Sequence, residues 1–327
     1  MAVKTNIEAL RETLREEMRR DDRIIIIGED VGARGGVFRA TEGLLAEFGD
    51  KRVIDSPLAE SSIVAVAIGA ALNGLRPIAE IQFADFIHPA FNQIVNEVAR
   101  FRYRSNGQFS CPVVIRAPYG GGISGGLYHS QSVEALFAHV PGLYVVAPAT
   151  PHDMKGLLRA ALQAEDPVLF LEHKKTYRLV KGEVPEADYV VPIGKAEVRR
   201  VGSRLTVFAY GLMLHYALEA AETVAREGID AEIVDLRTLA PLDKETILES
   251  AMKTGKVLIV HEDNKTGGLG AEVSAIIAEE AFAYLDAPIM RLAGPDVPAM
   301  PFSHPMQDFF MPNPTKIADA MRKLAAY

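Results

Sequence analysis

A glycine-rich loop, Gly120 to Gly126, empties into Leu127-Tyr128-His129-Ser130-Gln131-Ser132. Mobile backbone that delivers an imidazole suits proton transfer on a bound ligand, because histidine gains and loses its proton near neutral pH. Upstream, Pro112-Val113-Val114-Ile115-Arg116 reads as a strand. Downstream, Ser132 to His139 reads as a short helix stopped by Pro141-Gly142, with Ser132 able to cap it and Glu134 suited to its first turn. The competing reading is a long turn whose histidine only packs. A second candidate is Glu60. Asp55-Ser56-Pro57-Leu58-Ala59-Glu60 follows a short strand and leads into a helix from Ser61, so the helix dipole favours the carboxylate. An anion held there could keep a proton on a heteroaromatic nitrogen, although an ordinary first-turn glutamate explains the same spacing.

Other motifs point away from familiar sites. Gly120-Gly121-Gly122 lacks a following Gly-Lys-Ser/Thr and is no nucleoside-triphosphate loop. Gly267-Gly268-Leu269-Gly270 opens a helix after a strand, but its spacing misses the dinucleotide fingerprint and suits a structural turn. His261-Glu262 has no second histidine at zinc-ligand spacing. His88, His139, His152 and His173 stand without companion motifs. Cys111, the one cysteine, precedes Pro112 at a strand entrance and reads as a small buried residue.

These residues need a scaffold, and its outline is legible. The 327 residues are 49% hydrophobic, enough for a large core in two domains, and the net charge of −8 argues against a nucleic-acid surface. No apolar run is long enough for a bilayer, no secretory core opens the chain, and a single cysteine fits a reducing compartment. A cytoplasmic protein is the expectation. Strand-length apolar runs alternate with helical patterns, which predicts α/β architecture with mainly parallel sheets. Helices are expected over 5–20, 61–75 and 151–163, and strands over 23–28, 77–83, 143–147 and 168–172. Residues 88–102 place Phe91, Ile94, Val95, Val98 and Phe101 on one helical face. The expected division is 1–182 as a first domain, 183–204 as a linker and 205–327 as a second domain, with strands near 205–210, 231–236, 256–261 and 288–292. Gly294 to Pro314, rich in Pro, Phe and Met, shows no period and is expected to pack on a partner or on its own domain.

Six segments together carry a family resemblance. They are Gly28-Glu29-Asp30-Val31-Gly32, Asp55-Ser56-Pro57-Leu58-Ala59-Glu60, Glu80-Ile81-Gln82-Phe83-Ala84-Asp85-Phe86, Arg102-Tyr103-Arg104-Ser105, Tyr128-His129-Ser130-Gln131-Ser132 and Asp235-Leu236-Arg237-Thr238-Leu239. In this order, and over essentially the whole chain, it resembles the beta subunit of thiamine-diphosphate-dependent 2-oxo acid dehydrogenases. Phe-Ala-Asp-Phe and His-Ser-Gln-Ser are most similar to the branched-chain type, while pyruvate-type subunits share most of the rest. The resemblance implies a pyrimidine-binding parallel-sheet domain followed by a transketolase-like C-terminal domain. It makes Glu60 the glutamate that hydrogen-bonds N1′ of the aminopyrimidine, and Phe86, commonly tyrosine in relatives, a ring beside it. Leu58 and Gln82 line the same pocket, and His129 handles protons during acyl transfer to the lipoyl arm.

The resemblance also implies what lies elsewhere. Family members hold the diphosphate and Mg²⁺ with Gly-Asp-Gly and a downstream asparagine; here Gly49-Asp50 runs into Lys51. An alpha subunit is then expected to supply that half of the site, in an α2β2 assembly. Main-chain carbonyls of Val113, Ala161, Leu162, Ala164 and Asp166 match a structural potassium site. The subunit-binding domain of a lipoyl acyltransferase core is expected to dock near Tyr327. The expected reaction is oxidative decarboxylation of branched-chain 2-oxo acids, with pyruvate or acetoin dehydrogenase as the near alternative and a non-catalytic docking scaffold as the distant one.

Overall fold

The computed structural model describes residues 2–327. Its contacts divide the chain into two units, one holding the residues up to Tyr119 with Leu136–Ile193, the other Gly120–Ala135 with Gly194–Tyr327. The glycine loop thus belongs with the carboxy-terminal unit.

The first stretch of chain contributes strands β1 (Ala2–Thr5), β2 (Ile24–Gly28), β3 (Val53–Asp55), β4 (Arg76–Glu80), β5 (Val114–Tyr119), β6 (Tyr144–Val146), β7 (Val168–His173) and β8 (Lys181–Val184). Its helices are α1 (Asn6–Arg20), α2 (Leu44–Phe48), α3 (Glu60–Leu72), α4 (Phe101–Arg104), α5 (Glu134–Ala138), α6 (Pro151–Gln163) and α7 (Thr176–Leu179). Six strands run parallel in the order β6-β7-β5-β4-β2-β3. With helices on both faces, such strands become continuous apolar runs, and every residue of Ile24–Gly28 is buried. The chain lays β3 on one side of β2 and then β4 on the other, so its winding reverses between β2 and β4. Ligands of parallel sheets sit outside the carboxyl ends of strands at such a reversal. Helix α1 starts from a Thr5–Glu8 capping box and packs on α6 through Lys155–Glu16 and Arg159–Glu17 ion pairs of 2.9 and 2.8 Å.

The second unit contains β9 (Glu197–Arg200), β10 (Leu205–Ala209), β11 (Ala231–Asp235), β12 (Thr238–Ala240), β13 (Val257–Asn264) and β14 (Met290–Gly294). Helices α8 (Leu212–Ala225), α9 (Lys244–Thr254), α10 (Leu269–Glu280), α11 (His304–Phe310) and α12 (Pro314–Ala325) join or cover them. Its sheet runs β14-β13-β10-β11-β9, with only β9 antiparallel to its neighbour. No helix among the described residues is long and apolar enough to cross a membrane.

Three segments differ from their sequence patterns. Residues 183–204 include the end of β8 and all of β9, edge strands whose charged faces hide the apolar alternation. Over 88–102 the apolar stripe is real, with Ile94 and Val98 buried, but the backbone breaks into short turns around a π-type turn at Gln93–Glu97. The aperiodic stretch from Gly294 contains α11, too short to show a period.

Candidate active site

Two groups of candidate residues stand on different units. In the first unit, Glu60 opens α3 at the carboxyl edge of the parallel sheet, just beyond β3. Ala59 offers no side-chain cap, and Ser61 Oγ donates to Pro89 O at 3.0 Å, tying the first turn of α3 to the turn after Phe86. Gln82 follows β4 and points its amide nitrogen at Glu29 O and Asp30 Oδ2, both at 3.4 Å, which brings the ends of β2 and β4 together at the reversal. Gly28 permits that approach, since a Cβ there would lie 2.8 Å from Glu80 O. Burial, with Asp30 and Glu60 adding negative charge, holds the Glu29 carboxyl above its ordinary range. Phe86 packs edge-on to Phe83, with ring centres 5.6 Å apart. Leu58 is 72% exposed, an apolar side chain left uncovered beside a carboxylate. A carboxylate at a helix start, an amide, an aromatic ring and an exposed apolar side chain thus all follow the carboxyl ends of β3 and β4, and these are chemical types that suit an aminopyrimidine ring.

Behind this edge lies a buried charge network that the sequence pattern does not announce. Arg116 on β5 grips Glu172 on β7 in fork geometry, Nε–Oε1 2.6 Å and Nη2–Oε2 2.7 Å, and its remaining nitrogen bonds Glu80 on β4. Tyr177 donates to Glu172. Burial opposes the Arg116 charge, but Glu172 and Glu80 outweigh it and raise its pKa; burial raises that of Glu80 despite Arg116. Charged residues inside Val114-Ile115-Arg116-Ala117 and Leu169-Phe170-Leu171-Glu172 were the available signal, because such residues are buried only when paired.

In the second unit, Gly120 N donates to Gln131 O at 3.0 Å and closes the neck of the glycine loop, on which His129 sits half-buried. Gly125 lies directly beneath, where a Cβ would come within 2.6 Å of His129 O and 2.8 Å of its Cβ. The expected cap is not made: Ser132 Oγ has no hydrogen-bond partner among the described residues, and the helix starts only at Glu134. Glu134 is instead wholly buried and accepts from Tyr210 OH at 2.7 Å. Burial, with the charge of Asp263, pushes its pKa up to about 8, and burial pushes Asp263 up to about 6. A cleft of about 120 Å³ opens here, lined by Gln131, Glu262, Asp263 and Met300 among others.

At the carbonyls matched to potassium, protein donors are already present. Arg76 Nη1 donates to Leu162 O and Ala164 O, both at 3.0 Å. Val113 O accepts from Val168 N and Ala161 O from Ala164 N, while the Asp166 carboxylate pairs with Arg102. Each carbonyl retains a second lone pair. Cys111 is buried, which pushes its thiol up to about 12. Among the described residues no cluster of three or more His, Cys, Asp or Glu is disposed to hold a metal ion.

Comparison with known proteins gives this geometry its family. The transketolase pyrimidine-binding domain model matches residues 3–180, and the transketolase C-terminal domain model matches 194–317. The chain is 61% identical to the 2-oxoisovalerate dehydrogenase subunit beta of Bacillus subtilis (strain 168), over the full length of both. It is 46% identical, again over both full lengths, to the pyruvate dehydrogenase E1 component subunit beta of the same organism. Among solved structures, a split gene transketolase, an inactive beta4 tetramer, superposes with a TM-score of 0.80 at 26% identity, covering 98% of each chain. The chain belongs to the thiamine-diphosphate-dependent 2-oxo acid dehydrogenase family, among its beta subunits of the branched-chain type.

Proposed function

We propose that this chain is the beta subunit of a branched-chain 2-oxo acid dehydrogenase. With an alpha subunit it decarboxylates 3-methyl-2-oxobutanoate and related acids oxidatively, and passes the acyl group to a lipoyl group on an acyltransferase core. The observation that carries this reading is the full-length identity to a 2-oxoisovalerate dehydrogenase beta subunit, well above that to the pyruvate counterpart from the same organism.

When bound, thiamine diphosphate supplies a carbon nucleophile and an electron sink for loss of carbon dioxide. The chain's own residues hold and move protons around it. Glu60 accepts a hydrogen bond from a ring nitrogen of the pyrimidine and keeps a proton at that atom. Phe86 and Leu58 cover the ring's apolar surface and exclude water, and Gln82 offers an amide at the same edge. His129 exchanges a proton with a lipoyl sulfur as the acyl group transfers.

Diphosphate and Mg²⁺ fall to the alpha subunit in an α2β2 assembly, since this sequence has no Gly-Asp-Gly segment. The split gene transketolase, inactive as a tetramer of beta chains, supports that dependence. Residues 1–182 and 205–327 serve as the two domains, 183–204 as their connection, and the neighbourhood of Tyr327 as the dock for the acyltransferase core. The cytoplasm is the compartment. Potassium, if held, is a structural ion on the carbonyls of Val113, Ala161, Leu162, Ala164 and Asp166.

The test is decarboxylation by this chain with thiamine diphosphate and Mg²⁺, with and without its alpha partner. Turnover only with the partner, and faster on 3-methyl-2-oxobutanoate than on pyruvate, is expected. Preference for pyruvate would change the substrate class, and turnover by the chain alone would overturn the divided site.

A further inference from the structure

The loop that carries His129 is held from outside by two buried side chains with no part in the chemistry assigned so far. Glu262, near the end of β13 and 3% exposed, accepts the Gly121 N–H through Oε1. Gln307, in α11 and 4% exposed, accepts the Ser124 N–H through its amide oxygen at 3.0 Å. Ser124 has φ +56°, a left-handed conformation unfavourable for a residue with a Cβ, so this hydrogen bond sits where the backbone most needs an external hold. Its hydroxyl also meets His304 Nδ1 at 3.2 Å.

Apolar contacts follow the same path. A Cβ on Gly121 would lie 2.6 Å from Met300 Cε, and one on Gly126 would lie 2.8 Å from a Phe302 ring carbon. The stretch from Met300 to Gln307 therefore lies against the loop, while Gly125 presses on His129 from within it.

We propose that Glu262 and Gln307 are positioning residues for His129: they hold the glycine loop at Gly121 and Ser124, and thereby set the imidazole for acyl transfer to the lipoyl group. The proposal rests on the role given to His129 above. Removing either acceptor frees an N–H and lets the loop relax. A shift of about 1 Å in a reacting group costs on the order of 100-fold in rate. The first half-reaction depends on Glu60 in the other unit and does not need this hold.

The assembled α2β2 complex provides the test. Amide hydrogen exchange at Gly121 should accelerate in Glu262→Ala, and at Ser124 in Gln307→Leu. Both variants should lose about 10-fold or more in acylation of a lipoylated acceptor domain, with much smaller losses in decarboxylation read with an artificial electron acceptor. Glu262→Gln and Gln307→Glu keep an acceptor oxygen and should restore both exchange and acylation. Should Glu262→Ala fail to assemble, Gln307→Leu decides alone. Unchanged exchange overturns the hold, and so does equal loss in both half-reactions, which marks a general structural defect. Faster exchange with normal acylation overturns the positioning role, provided that His129→Ala is impaired. If His129→Ala acylates normally, the fault lies with the role of His129, and the positioning proposal falls with it.

Discussion

Replacing Arg116 by methionine would show whether the network behind the pyrimidine edge holds the first unit together. The side chain is fully buried, and three of its nitrogens satisfy Glu80 and Glu172. Methionine fills similar volume but leaves two buried carboxylates without the cation between them, Glu172 keeping the Tyr177 hydroxyl. Breaking a buried pair from one side costs about 3–5 kcal/mol. For a unit of this size that lowers the melting midpoint by roughly 6–20 °C. The loss must depend on pH. Burial already raises the folded-state pKa of Glu80 above its unfolded value, and loss of the opposing guanidinium raises it further. The unfolded chain then binds fewer protons than the folded one through that window, so stability falls as pH rises. Arg116→Met should accordingly sit closest to wild type near pH 5 and fall furthest behind by pH 8. Arg116→Lys should recover only part, because an ammonium cannot make the fork to Glu172. Urea denaturation at the two pH values, followed by circular dichroism, measures both effects. Equal midpoints for Arg116→Met and wild type at pH 8 would refute the reasoning.

Further expectations concern the site itself. Glu60→Ala should lower decarboxylation by the assembled enzyme on the order of 10²–10⁴-fold with an unchanged melting curve; a normal rate would favour the scaffold reading. Gly125→Ala forces a Cβ against His129 and should depress lipoyl acylation more than decarboxylation, which paired half-reaction assays would detect. Glu134→Gln keeps the Tyr210 contact and removes a carboxyl whose pKa rises to about 8. Ionising wild-type Glu134 costs stability progressively from about pH 4.5 to about 8, so the variant's advantage should grow across that range and level off above it. Melting curves at pH 5, 7 and 9 test the sign. If the carbonyl site takes potassium, the midpoint should be higher in KCl than in NaCl at equal ionic strength.

The sequence was most legible where packing and local chemistry agree. The isoleucine run 24–27 and the helix over 151–163, with Thr150 as its cap, appear as their patterns require. Glu60 does open a helix, and the motifs that begin at Gly28, Asp55, Glu80 and Asp235 each start at a strand end. Legibility failed where the deciding partner is distant. Ser132 looks like a cap only while the partner of Glu134 is unknown, and that partner, Tyr210, lies 76 residues away. Arg116 reads as an oddity in a strand until Glu80 and Glu172 flank it. The weak pattern over 183–204 hid an edge strand because β9 reads Glu-Val-Arg-Arg, with charge on both faces: Arg199 pairs with Asp235 and Arg200 with Asp230. Gly120 to Gly126 reads as a flexible tether by composition, yet its amides are held by side chains 141 and 183 positions downstream.

That separation has a consequence during synthesis. A ribosome adding about 5–20 residues per second makes Gln307 roughly 10–40 s after Ser124. For most of that interval neither anchor exists, and for all of it the loop, histidine included, lacks Gln307. Its functional shape is among the last features of the chain to become attainable, and a truncated product ending before α11 would carry every residue matched to the chemistry with only the Glu262 half of the hold on its loop.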